Sequence, residues 1–140
     1  MGTNIGREEI YVLKTILPES HNMPNSWTVI FHDLFAKEFD RLEDAVQDEL
    51  LAHALLLGQF GPSLGRPAVD TLKGCRHSNL KELRFRVNRQ VWRVAFAFDP
   101  ARQAILLVAG NKAGANQQAF YRRLIAAAEA RYSQHLQENS

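Results

Sequence analysis

Apolar and polar residues alternate one for one between Leu83 and Phe98. Leu83, Phe85 and Val87 point one way along an extended chain and Arg84 and Arg86 the other; beyond a polar turn at Asn88-Arg89, Trp92, Val94, Phe96 and Phe98 oppose Arg93. This period of two predicts an antiparallel hairpin, and the run from Ile105 to Lys112 supplies a third strand. A basic loop beginning at Leu72 precedes them. In such a sheet one face is core and the other carries guanidinium groups. Arg84 and Arg93 fall side by side on neighbouring strands, where like charges repel unless something anionic lies between them. A phosphate would serve.

Upstream, Trp27, Val29 and Phe31 alternate with Thr28, Ile30 and His32 as a first strand, and the spacing then turns helical at Phe35, Phe39, Leu42 and Val46. A helix is expected from about Asp33, capped by His32 or Asp33, either continuous or broken around Leu42-Glu43 into a helical hairpin. It ends by about Phe60, because Gly61-Pro62 and Pro67 cannot extend it. His53, inside this apolar stretch, reads as a packed or half-exposed histidine. At the other end, Asn116 caps a last helix whose Phe120, Leu124, Ala128, Tyr132 and Leu136 form one stripe. Tyr121, Arg122 and Arg123 lie on its first turns beside Lys112, where the helix dipole favours an anion. Residues 1–26 read as a loose extension: Ile10-Tyr11-Val12-Leu13 fits a strand or half a helical turn, and Met23 is an alternative start for a domain covering 27–140.

Composition narrows the class. With 140 residues and 46% apolar content the chain suits one α+β domain with a substantial core. Its single cysteine, Cys75, excludes an internal disulfide and argues against a structural zinc site, which fits a reducing cytoplasm. No apolar run approaches the length of a bilayer span. The net charge is only +2, yet residues 1–65 hold 4 Lys/Arg against 10 Asp/Glu while residues 66–123 hold 12 against 3. A polyanion is the natural partner for the basic half, and a solvated charged face is the alternative.

The order strand, helix or helical hairpin, three antiparallel strands, helix, together with Leu64-Gly65-Arg66-Pro67, Leu72-Lys73-Gly74, Glu82-Leu83-Arg84, Trp92-Arg93-Val94 and Gly110-Asn111-Lys112, resembles the RelE/ParE superfamily of bacterial toxins, and within it the phage-derived Gp49-like, HigB-like branch. The resemblance runs from about Trp27 to Leu136. It implies a RelE-like fold, mainly antiparallel, with the C-terminal helix packed on the sheet. It also implies the toxin of a type II toxin-antitoxin system, cutting messenger RNA on the ribosome without metal or cofactor: a ribose 2′-hydroxyl attacks the adjacent phosphate. Partners would be a cognate helix-turn-helix antitoxin and ribosome-bound message, with operator DNA reached only through the antitoxin and no membrane. ParE-like inhibition of DNA gyrase and an inactive RNA- or antitoxin-binding relative are the alternatives that the same fold leaves open.

By this resemblance Arg84, Arg93 and Lys112 are candidate catalytic residues and Tyr121 a base-stacking contact. By their own chemistry His77 joins the catalytic candidates, and Lys73, Arg76, Lys81, Arg86 and Arg122 join Tyr121 as candidate RNA contacts. Arginine stays protonated and acts as a phosphate clamp, so the proton-transfer candidates are His77, Lys73, Lys81, Lys112 and Tyr121. His77 titrates nearest neutrality, and its basic neighbours favour the neutral imidazole. Read without the resemblance, Arg84, Arg86 and Arg93 could equally face solvent and pair with Glu82 and Asp99. Trp27, Phe31, Phe35, Phe39, Leu83, Phe85, Trp92, Val94, Phe96, Leu106 or Leu107, Leu124 and Ala128 are expected to build one core.

Overall fold

The structure, a computed structural model, describes residues 26–114 and 116–140. The expectations for Ile10–Leu13 and Met23 lie outside them. Strand β1 (Thr28–Phe31) leads through His32, whose Nδ1 accepts from Leu34 N at 3.1 Å, into α1 (Asp33–Phe39). A four-residue break precedes α2 (Asp44–Phe60). Gln47 Nε2, buried, donates to Phe39 O at 2.7 Å and closes this helical hairpin. Gly61 then turns the chain at φ +54°, with its α-carbon so close to the Trp27 indole that an added Cβ would meet the ring at 2.4 Å. Only glycine satisfies both demands.

Five strands form one sheet in the order β1-β5-β4-β3-β2. The hairpin between β3 (Leu80–Val87) and β4 (Gln90–Phe98) turns at Asn88 and Arg89, both at positive φ, and sets Arg84 opposite Arg93. This two-residue turn with a left-handed conformation at both positions is what the right-handed twist of paired strands prefers. Strand β5 (Gln103–Asn111) runs antiparallel to β4 and parallel to β1. A further strand, β2 (Val69–Thr71), pairs with Lys81–Leu83, where the sequence suggested only loop. Three residues behind Pro67 are too few to show a period.

The single core expected from sequence is instead two, one on each face of the sheet. Under α1 and α2 lie Phe31, Phe35, Phe39, Leu50, Leu57, Leu83, Phe85, Val94, Phe96 and Leu106. The other face is not simply a guanidinium surface: Leu80, Ala95, Ala97, Ile105 and Leu107 meet Phe120, Leu124, Ala128 and Tyr132 of α3 (Gln117–Glu138). Small Ala95 and Ala97 let that helix settle against strands whose alternation alone looked half polar. Trp92 packs only at the margin of the first core.

Between Ala95 and Phe96 the pairing with β5 slips by one residue. The extra residue is Leu107, whose carbonyl accepts from Arg131 Nη1 at 2.8 Å while the same guanidinium grips Glu38 of α1 at 2.6 and 2.9 Å. A bulge of this kind re-aims the strand beyond it. It brings Gly110 opposite Arg93 and beneath Phe120, where an added Cβ would lie 3.1 Å from the ring. The start of α3 can therefore sit directly on the β3-β4 hairpin.

Candidate functional site

Residues two apart on a strand share a face, so Glu82 stands beside Arg84 on β3, with Arg93 across on β4. An anion does lie between the arginines, and it is the chain's own carboxylate. Arg84 donates from Nε (3.1 Å) and Nη2 (2.7 Å) to Glu82 Oε2, and the Tyr121 hydroxyl donates to Oε1 at 2.9 Å. Arg93 Nε lies 3.9 Å from the same Oε1. The Arg93 guanidinium also stands 5.7 and 5.6 Å from the Phe120 and Tyr121 ring centres, within cation–π range. Asn116, whose side chain accepts from Ala119 N at 3.1 Å, starts α3 where these rings reach the hairpin.

The Glu82 side chain is only 4% exposed, Arg93 12% and Arg84 39%. Burying a carboxylate is costly unless donors surround it, and here they do. The bond from Glu82 raises the Arg84 pKa, fixing its charge. Burial and then the Glu82 bond push the Tyr121 phenol upward, so it remains a neutral donor. Two guanidinium groups face the Glu82 carboxylate, and a second carboxylate, Asp70, lies with Oδ2 3.8 Å from Arg84 Nη2 while its Oδ1 is 3.3 Å from Arg66 Nε. Arg93 Nε is buried and makes no hydrogen bond among the described residues. Arg84 lines two clefts. One, of about 470 Å³, is shared with His53, Phe85, Arg86 and Arg93; the other, of about 340 Å³, with Asp70, Lys73, Glu82, Gln117 and Tyr121.

Of the residues singled out in the sequence, the fold thus gathers Arg84, Arg93 and Tyr121 into one cluster, with Arg86 and Lys73 on the rims of the flanking clefts. Lys112 follows the last residue of β5, and Arg122 is exposed on α3. Lys81 shares the strand parity of Leu83 and so leaves the sheet on the opposite face from Arg84. Arg76 turns to Glu129, which takes its backbone N–H and lies 3.8 Å from its Nε. His77 is elsewhere: Nε2 is 3.0 Å from Ser133 Oγ and its ring meets Tyr132 edge-on. Ser133 is twelve residues along α3 from Tyr121, roughly 18 Å of helix. Cys75 is half-buried, and burial, followed by Glu129, raises its pKa, the opposite of an activated thiol. Asp99 pairs with His135 at 2.9 Å rather than with an arginine.

Glu82 is what reasoning from sequence undervalued. The signal was present in Glu82-Leu83-Arg84, since the spacing puts an acid and a base on one face. Its central place depends on Tyr121 arriving from 39 residues away.

Residues 37–133 match the family described as phage derived protein Gp49-like (DUF891). The chain belongs to this Gp49-like family. Among curated relatives, Mycobacterium tuberculosis proteins designated toxin HigB2 and toxin HigB3 are similar to it. The first is 52% identical over 82 residues, 58% of this chain and 40% of the relative; the second is 49% identical over 76 residues, 54% and 64% respectively. The match therefore spans less than two thirds of either relative. No solved structure matches the chain. The Gp49-like assignment and the two relatives place it in the HigB-like branch of the RelE/ParE superfamily. Among the described residues no helix is long and apolar enough to cross a membrane.

Proposed function

We propose that this Gp49-like protein is the toxin of a toxin-antitoxin pair and acts as a ribosome-associated endoribonuclease on messenger RNA. The observation that carries the reading is the pair of arginines held side by side by strand register, with Tyr121 over them and a cleft on either side. In the reaction the 2′-oxygen loses its proton to solvent and forms a bond to phosphorus while the bond to the 5′-oxygen breaks and that oxygen takes up a proton. A cyclic phosphate and a 5′-hydroxyl result. Charge builds on the phosphorane, where Arg84 and Arg93 are preorganised to meet it. The Tyr121 phenol, held protonated by burial and by its bond to Glu82, serves as a hydrogen-bond donor at the site, and its ring suits stacking on a base. Lys73 at the rim of one cleft and Lys112 at the end of β5 add positive charge. His77, in the loop before β3 and packed against the far part of α3, takes no part.

The antitoxin is proposed to neutralise the protein by covering the basic clefts, and to carry the DNA-binding function of the pair. The test is cleavage of ribosome-bound message in the presence of a chelator: the wild type cuts, and Arg84→Ala and Arg93→Ala do not. Wild-type cleavage by both variants would remove the site. Inhibition of gyrase with no RNA product would assign the protein to ParE-like activity instead.

A further inference from the structure

We infer that Glu82 is an internal competitor of the substrate phosphate: it occupies Arg84 in the resting protein and is displaced when a phosphate of the RNA binds. The inference rests on the ribonuclease reading of the same site and concerns how that site is regulated.

Three observations converge. First, Glu82 takes the Nε–Nη2 edge of Arg84 onto one oxygen, and that edge is a fork of the kind that grips a phosphate. A ligand oxygen and Glu82 cannot both have it. Second, the arginine is accessible and its partner is not: Arg84 is 39% exposed and borders both clefts, whereas Glu82 is 4% exposed beneath it. A phosphate therefore meets Arg84 from outside while Glu82 holds it from inside. Third, the displaced carboxylate has a destination. Arg93 Nε is a buried donor without a hydrogen bond, and Oε1 stands 3.9 Å away, about 1 Å beyond bonding range. A small rotation of Glu82 satisfies it, so the buried charge keeps a partner when Arg84 is taken. A general-base role fits less well, because both oxygens of Glu82 are already engaged by Arg84 and Tyr121 and its side chain is 4% exposed.

The resting site is thus partly neutralised, which restrains indiscriminate attachment to nucleic acid. The experiment measures binding of a labelled single-stranded RNA, with 2′-deoxy sugars to prevent cleavage, by the full chain across a salt series. Glu82→Gln should bind about tenfold more tightly at low salt with an unchanged salt slope, because Arg84 contacts the phosphate in both complexes and only the cost of displacing Glu82 is removed. A slope steeper by about 0.7, the increment for one further phosphate contact on a single strand, would mean that Glu82 blocks Arg84 rather than yielding to the phosphate, and would overturn the inference. Glu82→Ala serves the same purpose should the amide not fold. Asp48→Asn, which removes an equal charge from the exposed side of α2, should change affinity by less than twofold. Unchanged or weaker binding by the folded Glu82 variants, with wild-type binding still dependent on Arg84, would overturn the inference alone. Loss of any Arg84 dependence in the wild type would overturn the ribonuclease reading with it.

Discussion

Two carboxylates are buried beneath α3, Glu82 near its first turns and Asp99 near its last, and their surroundings differ in kind. Asp99 Oδ1 accepts from the backbone amides of Ala101 and Gln103, and Oδ2 lies 2.9 Å from His135 Nε2. Short-range backbone donors and one helix residue satisfy it within the turn that joins β4 to β5. Glu82 is held by the long side chains of Arg84 and Tyr121, lines a cleft, and faces two guanidinium groups, one of which also has Asp70 at 3.8 Å. Both burials cost desolvation, but Asp99 spends it on closing a turn and docking a helix end. Glu82 organises charge that faces outward. A buried acid satisfied by its own turn marks scaffold; one shared between two arginines at the mouth of a cleft marks a site.

The largest effect that would sharpen the contrast is chemical. Arg84→Ala and Arg93→Ala should each lower messenger cleavage by roughly 10²–10³, the usual cost of one preorganised charge contact. Lysine at either position should recover only part, since a point charge does not reproduce the fork. Full recovery by lysine would mean that charge alone, without geometry, is what the site supplies. Next is stability at the other end of the helix. Asp99→Ala leaves two backbone amides and His135 without their acceptor, and should lower unfolding free energy by about 1–3 kcal/mol in a denaturant titration. RNA binding should not change; if it did, the two ends would be coupled and the comparison would fail.

A smaller effect follows from Tyr121. Folding raises its pKa, so the folded protein holds the phenolic proton more tightly than the unfolded chain does. The stability this contributes is complete below the ordinary phenol value of about 10 and is lost as pH rises through the higher folded value. The thermal midpoint of the wild type should therefore fall more steeply above pH 10 than that of Tyr121→Phe. Parallel curves would show that the phenol is not buried against Glu82. Smallest of all, His77→Ala should leave RNA cleavage within about twofold, because its partners lie roughly 18 Å of helix from Tyr121. A loss comparable to that of Arg84→Ala would return His77 to the reaction.

Local pattern alone determined much of this protein. The alternation from Leu83 to Phe98 specified the hairpin and its turn at Asn88-Arg89, and with them the Arg84–Arg93 pairing, because side chains on a strand can only alternate. The stripe Phe120, Leu124, Ala128, Tyr132 specified the buried face of α3, and the change of spacing at Asp33 specified the start of α1. What the pattern could not carry were relations between distant residues of unlike type. Ala95 and Ala97 did not announce that the second sheet face is a core, since alanine suits either environment. Nor did proximity in sequence among Lys73, Arg76, His77 and Lys81 survive folding: one lines a cleft, one turns to Glu129, one packs on Tyr132 and one leaves by the opposite face. Which anion lies between the arginines was likewise a tertiary decision. A strand period places Glu82 beside Arg84, but only the bulge at Leu107, the bare backbone at Gly110 and the seating of α3 bring Tyr121 to the carboxylate and make it a buried centre.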